Sequence, residues 1–234
     1  MAATLVSEAR VSEALGREQA AETFMSGVFE VQHPLIASHL TRLRDKTTPP
    51  PEFRALVNRL ASLLAYEATK DLRTKPVTVE TPLTTTEGRA LAQRVGLVPI
   101  LRAGLGMVDP ILEVIPQAEV WHLGLYRDEA TAKPVKYYSK LPDSHPVDVA
   151  LVVDPMLATG GSAVAAMTTL REWGVPQVKL LGLIASEEGC KFVETEFPEA
   201  QIYVCQIDPD LNDMKYIVPG LGDAGDRIFN TVHY

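Results

Sequence analysis

The sequence predicts an α/β protein built on a mostly parallel, twisted sheet flanked by helices. Three observations carry this. The apolar run Val149 to Val153 ends in Asp154, passes through a turn of small residues and opens a helical pattern at Ala163. The run Val95 to Leu101 repeats the arrangement, ending in Arg102 and the glycine-rich turn Ala103-Gly104-Leu105-Gly106. A third apolar run, Val178 to Ile184, follows the helix that extends to about Trp173. Strand, helix and strand then form a βαβ unit, which crosses over right-handedly into a parallel sheet.

In chain order, Met1 to Ser26 is Ala- and Glu-rich, with weak helical periodicity through Leu5, Val11, Leu15 and Phe24. It is expected to be an N-terminal extension, helix or tail, outside a single domain over 27–234. His33-Pro34-Leu35-Ile36 opens a segment through Leu43. A polar run with prolines, Thr47 to Pro51, precedes the clearest helix, whose Phe53, Leu56, Val57, Leu60, Leu63 and Leu64 follow i, i+3, i+4 spacing and which runs to about Asp71. Its apolar face suits the core or a subunit interface. Val77 to Leu83 is a short β-rich run. A helix starts near Asp109-Pro110, where proline is tolerated in the first turn. Val120 to Tyr126 alternates as a strand and ends at Arg127. With Lys136-Tyr137-Tyr138 it predicts an antiparallel flap around 130–138. A helix from Glu187 to about Phe197 and a strand from Gln201 to Cys205 make a second crossover. Beyond Ile207, closely spaced glycines and a proline predict an ordered loop without regular structure.

Composition narrows the function. Of 234 residues, 46% are hydrophobic, so a sizeable core is available. The net charge of −8, without a Lys/Arg cluster, argues against a protein that grips nucleic acid or anionic membrane. Cys190 and Cys205 show neither C-x-x-C nor metal-ligand spacing, as expected of thiols in a reducing cytoplasm. No apolar run reaches membrane-spanning length, and the first residues lack the basic and apolar regions of a signal peptide. The five histidines form no metal-binding pair and none is given a catalytic role.

The chemistry concentrates after Val153. A helix opening with Thr159-Gly160-Gly161-Ser162 points unpaired N–H groups from its first turn, a natural anion site. Asp154 sits where the strand ends, at the edge where open α/β sheets bind ligands. No Lys follows the glycines and G-x-G-x-x-G is absent here, so neither a Walker loop nor a dinucleotide fingerprint is present. An acid beside a phosphate cradle suits a sugar phosphate, the acid on ribose hydroxyls and the cradle on the 5′-phosphate. The Arg102 turn can present backbone amides and a guanidinium to a further phosphate.

Four motifs in order resemble the uracil branch of the type I phosphoribosyltransferases from about His33 onward: H-P-L, P-I-L-R-A-G-L-G-M at Pro99 to Met107, V-D-P-M-L-A-T-G-G-S at Val153 to Ser162, and Y-I-V-P-G-L-G-D-A-G-D-R at Tyr216 to Arg227. The resemblance implies that fold, with a flap hairpin and a C-terminal base-binding loop. It implies transfer of the 5-phosphoribosyl group of 5-phosphoribosyl 1-diphosphate (PRPP) to N1 of uracil. Arg102, Arg127, Asp223 and the run Asp154, Pro155, Met156, Leu157, Ala158, Thr159, Gly160, Gly161 and Ser162 would bind PRPP. Ile217, Gly222, Asp223 and Ala224 would form the uracil pocket, with Asp154, Arg102 and Asp223 as the catalytic set. The family uses magnesium (Mg2+), which would come mainly with PRPP, so no metal ligand is assigned. A homo-oligomer, dimer or tetramer, a cytoplasmic location and GTP as a candidate activator complete the expectation. The competing readings are a pyrimidine-operon RNA-binding regulator on the same fold and a type I transferase for another base.

Overall fold

The computed structural model describes residues 27–127, 134–139, 141–142 and 144–231, with the backbone alone over 124–127 and 134–139. The expected extension at 1–26 and the tip of the expected flap lie outside the described residues.

The central sheet runs in the order β1 (Val28–Glu30), β11 (Gln201–Asp208), β10 (Gln177–Ser186), β8 (Val149–Val153), β4 (Val95–Pro99) and β5 (Glu119–Val120), and every neighbouring pair is parallel. A two-residue strand, β9 (Met156–Leu157), pairs with β10 at Ile184 and Ala185. All five residues of β8 are buried. Val149, Leu151 and Val153 enter one core, while Ala150 and Val152 enter the other. Burial on both faces is why parallel strands read as unbroken apolar runs.

Helices α1 (Pro34–Arg44), α2 (Pro50–Ala68) and α3 (Val108–Val114) supply the first core; α4 (Gly161–Trp173) and α5 (Glu187–Glu196) supply the second. Helix α2 buries Phe53, Leu56, Val57, Leu60, Ala61, Leu64, Ala65 and Ala68 as one stripe. It stops three residues before the expected Asp71. There the Thr69 N–H and hydroxyl both donate to the Ala65 carbonyl, at 3.1 and 2.7 Å, and the hydroxyl competes with continuation of the helix.

Three elements differ from expectation. The single strand foreseen over Val120 to Tyr126 is two: β5 joins the main sheet, and β6 (Leu123–Arg127) pairs antiparallel with β7 (Pro134–Ser139) as the base of the flap. The β-rich run near Val77 is half of a hairpin, β2 (Thr74–Glu80) with β3 (Thr85–Leu91). Its second strand is too polar to show alternation. The hairpin projects from the body, with most residues exposed and Leu83 at its turn 95% exposed. Finally, the C-terminal segment does contain regular structure, which corrects the expectation of a plain loop. Strands β12 (Asp210–Leu211) and β13 (Ile217–Val218) pair, and α6 (Ala224–Phe229) follows. The helix forms because Asp223 caps it, accepting the Asp226 N–H at 2.9 Å, and because Ala224 and Ile228 reach the first core.

Candidate active site

After β4 the chain moves outward to β5, whereas after β8 it moves the other way to β10 and β11. The strand order therefore reverses between β4 and β8. Outside the carboxyl ends of strands at such a switch point lies the ligand crevice of an open α/β sheet. Arg102 follows β4 and Asp154 follows β8, so the two flank it.

Asp154 is half-buried. Its Oδ1 accepts the Met156 N–H at 3.1 Å. Desolvation pushes its carboxyl up to about 7 from the ordinary value, opposed by that N–H, with the negative charge of Asp223 adding to the rise. The residues after it divide into two groups. Pro155 is buried and its carbonyl accepts the N–H groups of Leu183 and Ile184, both at 3.1 Å. Met156 and Leu157 form β9, with Leu157 in the second core. Ala158, Thr159, Gly161 and Ser162 are half-exposed. Gly160 caps α4 in the left-handed region at φ 80°, and no side chain caps the helix. A Cβ at Gly160 would lie 2.9 Å from the Gly189 carbonyl oxygen, so helix α5 packs tightly beneath this turn. The first turn of α4 contains no acid. Its positive end is thus open to an anion.

Arg102 extends into solvent, with Nη2 3.1 Å from Asp226 Oδ1. Asp226 also accepts the Thr231 hydroxyl at 2.6 Å. A Cβ built on Gly225 would lie 3.2 Å from Asp223 Oδ1 and 3.5 Å from Arg102 Nη2. The Arg102 guanidinium and Asp223 of the expected catalytic set therefore lie together, and Asp154 feels the charge of Asp223. Arg127 ends β6, and its side chain lies outside the described residues. An anionic ligand would exchange the Asp226 contact of Arg102 for its own oxygens. Arg102→Ala is expected to raise the KM for PRPP, or lower turnover, by about tenfold or more, since a hydrogen bond to a charged group contributes about 1.5–3 kcal/mol. Steady-state kinetics against PRPP reads this directly, and wild-type values would remove Arg102 from the site.

The C-terminal loop forms the other wall. Ile217 is buried and faces Leu211 across the β12–β13 ladder. Gly220 and Gly222 both take positive φ, at 62° and 79°. Their surroundings differ. A Cβ on Gly220 would fall 2.0 Å from the Ile217 carbonyl oxygen, whereas one on Gly222 would meet only Arg227 Cδ at 3.9 Å. Close approach thus singles out Gly220. Yet both of its backbone groups are engaged. The N–H donates to Asp208 Oδ2 at 3.0 Å, and the carbonyl accepts from Arg44 Nη1 at 2.8 Å. Leu221 O is taken by Arg227 Nη1 at 2.8 Å. The backbone N–H groups of Gly222 and Ala224 remain without a partner among the described residues.

Sequence reasoning missed Arg44, Asp208, Asp226 and Arg227 as parts of this site. A signal for Asp208 exists. Ile207-Asp208-Pro209 ends a β-rich run with the same Asp-Pro pair as Val153-Asp154-Pro155. Asp226 and Arg227 lie inside the Tyr216–Arg227 motif but the resemblance gives them no role, and Arg44 carries no local signal because what it binds lies far away in the chain.

Among the described residues, no group of three or more His, Cys, Asp or Glu side chains could cage a metal ion, and no helix is long and apolar enough to cross a membrane. Comparison with known proteins places the chain. A family model described as uracil phosphoribosyltransferase matches residues 30–231. A uracil phosphoribosyltransferase of Roseiflexus sp. (strain RS-1) is 60% identical over 207 residues, 88% of this chain and 100% of that protein. One from Brevibacillus brevis is 52% identical over 208 residues, with the same shares covered. Among solved structures, the AQ2163 protein from Aquifex aeolicus matches with a TM-score of 0.83 and 37% identity, over 88% of this chain and 100% of that one.

Proposed function

The chain belongs to the uracil phosphoribosyltransferase family, and from this premise we propose how its crevice transfers the 5-phosphoribosyl group of PRPP to N1 of uracil, giving uridine 5′-monophosphate and pyrophosphate. One observation carries the assignment of roles. The open N-terminus of α4, the Asp154 carboxyl, the Arg102 guanidinium and the capped C-terminal loop converge on the switch point of the sheet.

Thr159, Gly160, Gly161 and Ser162 cradle the 5′-phosphate through the first-turn N–H groups of α4 and the two hydroxyls. Asp154 accepts the ribose hydroxyls. Arg102 and Arg127 bind PRPP, Arg102 at its pyrophosphate portion. Ile217, Gly222, Asp223 and Ala224 surround uracil, the two unengaged N–H groups of Gly222 and Ala224 serving as donors to its carbonyl oxygens. At the anomeric carbon the bond to pyrophosphate breaks as the bond to N1 forms, with inversion, and the N1 proton passes to the departing pyrophosphate or to water. Positive charge grows on the ring, where the Asp154 carboxylate stabilises it, while Arg102 stabilises the departing negative charge. Holding both substrates in line contributes about 7–11 kcal/mol of barrier reduction. The β6–β7 flap excludes water that would hydrolyse PRPP.

Magnesium fits this site as an ion carried in by PRPP. Asp154 and Asp223 sit near enough to interact electrostatically, so the chain offers carboxylates beside which the phosphates of PRPP would carry the ion. One or two carboxylates plus substrate phosphates is the usual set for this ion. When bound it supplies charge neutralisation to the leaving pyrophosphate.

Residues 1–26 read as an extension to a single domain, because the family match begins at residue 30 and full-length relatives span 207 or 208 residues of this chain. The isolated β2–β3 hairpin supports a homo-oligomer, dimer or tetramer, since two strands alone are marginal in water without a partner surface. Acidic net charge and two unpaired, buried thiols support a cytoplasmic protein without a nucleic-acid partner.

The decisive experiment is pyrophosphate release from PRPP with a panel of uracil, cytosine, adenine and hypoxanthine, each with and without GTP. Release with uracil alone is expected. Comparable release with another base would overturn the base assignment, and a GTP-dependent rate would establish activation.

A further inference from the structure

We propose that Arg44 and Asp208 are positioning residues for the base: they lock Gly220 in place and thereby set uracil affinity and base choice without touching the base. This rests on the reading that the Ile217–Ala224 loop holds uracil.

Asp208 ends β11 and is 3% exposed. Arg44 ends α1, and its Nη2 and Nη1 meet Asp208 Oδ1 and Oδ2 at 2.6 and 2.7 Å. The same Nη1 donates to Gly220 O at 2.8 Å, and Asp208 Oδ2 accepts the Gly220 N–H at 3.0 Å. Four charge-assisted bonds thus join a helix end, a strand end and one glycine. From the other direction Arg227 donates to Leu43 O at 2.9 Å, Asp45 O at 2.6 Å and Leu221 O at 2.8 Å, with its guanidinium 4.2 Å from the Phe53 ring centroid. The end of α1 and the turn at 220–221 are therefore tied together twice.

Stability alone is a poor account of such a pair. A buried ion pair is often no better than apolar residues of the same volume. Its bidentate geometry does something apolar packing cannot, which is to fix a backbone in register. Gly222 and Ala224, whose N–H groups are open, follow within four residues. Their positions inherit that register. Uracil and cytosine differ in donors and acceptors at the same atoms, so register decides which one is matched.

Arg44→Lys keeps the charge but cannot make both parallel bonds and reach Gly220. It is expected to raise the uracil KM about tenfold, as a displacement approaching 1 Å can cost 10²-fold, and to leave the PRPP KM within about twofold. The ratio of cytosine to uracil kcat/KM should rise with it. Asp208→Asn should act in the same direction, and the double variant should be no worse than the worse single one, because the pair works as a unit. Arg42→Lys is the control. Arg42 lies on the same helix as Arg44; its replacement loosens the surface pairs with Asp45 and with Glu52 of α2 and should leave both KM values unchanged. An unchanged uracil KM in Arg44→Lys, or an equal rise in both KM values, overturns the proposal. Ile217→Ala separates it from the reading beneath. If Ile217→Ala raises the uracil KM and Arg44→Lys does not, only the positioning role falls. If neither does, the loop does not hold the base and both readings fall. Should Arg44→Lys fail to fold, Asp208→Asn decides by the same criterion, and failure of both to fold would assign the pair a structural role instead.

Discussion

Gly220→Ala is expected to lower uracil-dependent turnover by on the order of 10²-fold or more, far beyond the effect of Gly222→Ala. Both glycines have positive φ, where an alanine costs about 1–2 kcal/mol. They part company over space. The added Cβ at 220 would sit 2.0 Å from the Ile217 carbonyl oxygen, well inside van der Waals contact, and the obstruction is backbone rather than a movable side chain. The turn has to open, and opening breaks the bonds from Gly220 to Asp208 and Arg44. The buried Asp208 then keeps only its two bonds from Arg44, and the loss of a bond to a charged acceptor adds to the cost. At Gly222 the nearest atom is Arg227 Cδ at 3.9 Å, so alanine meets only the conformational cost. Kinetics with uracil and PRPP, alongside thermal unfolding, distinguish the two. Equal damage from both substitutions would show that φ, not close approach, governs the loop.

Asp154→Asn is expected to reduce turnover by on the order of 10²–10³-fold while the protein stays folded, the loss typical of removing a preorganised electrostatic group. The substitution keeps shape and the acceptor for the Met156 N–H, and removes the charge that opposes the cation growing on ribose. An Asn variant with wild-type turnover would show that the charge is irrelevant. The raised carboxyl gives a second reading of the same residue. With its value pushed up to about 7 by burial, wild-type kcat/KM for PRPP should climb as pH rises through about 7, as the ionised form appears in the free enzyme. Stability runs the other way. Between the ordinary carboxyl value of 3.8 and about 7, the folded chain holds a proton that the unfolded chain has released. Folding stability from this group is therefore intact at low pH and falls as pH rises through that window, by up to about 1.4 kcal/mol per pH unit. Asp154→Asn should abolish this contribution and be the more stable protein at pH 8. Urea unfolding of both proteins at pH 5 and 8 tests the sign. A wild type that gains on the variant as pH rises would contradict it.

The two expectations locate the strain of the site at opposite edges of one crevice. Asp154 is an acid held where ionisation is unfavourable, and Gly220 is a turn that only glycine can make. Both features are worth their cost only if the crevice binds a ligand with complementary charge and shape.

Much of this was legible in the sequence because it is local. The strand–turn–helix at Val149 to Trp173, the stripe of α2 and the arginine after β4 show themselves through neighbouring residues, since backbone geometry and apolar periodicity act over a few positions. The motifs likewise marked Asp154, Arg102, Asp223 and the 217–224 loop. The β3 strand was not legible, because its ladder bonds leave no apolar alternation. Nor was α6, because its cap and its core contacts outweigh the glycines beside it. Tertiary structure alone decided the roles of Arg44, Asp208 and Arg227. Arg44 meets Asp208 across 164 residues and Gly220 across 176, and Arg227 reaches back to Leu43 across 184. A guanidinium announces in sequence only that it needs acceptors. Which acceptors it finds depends on which chain ends the sheet brings together at its carboxyl edge.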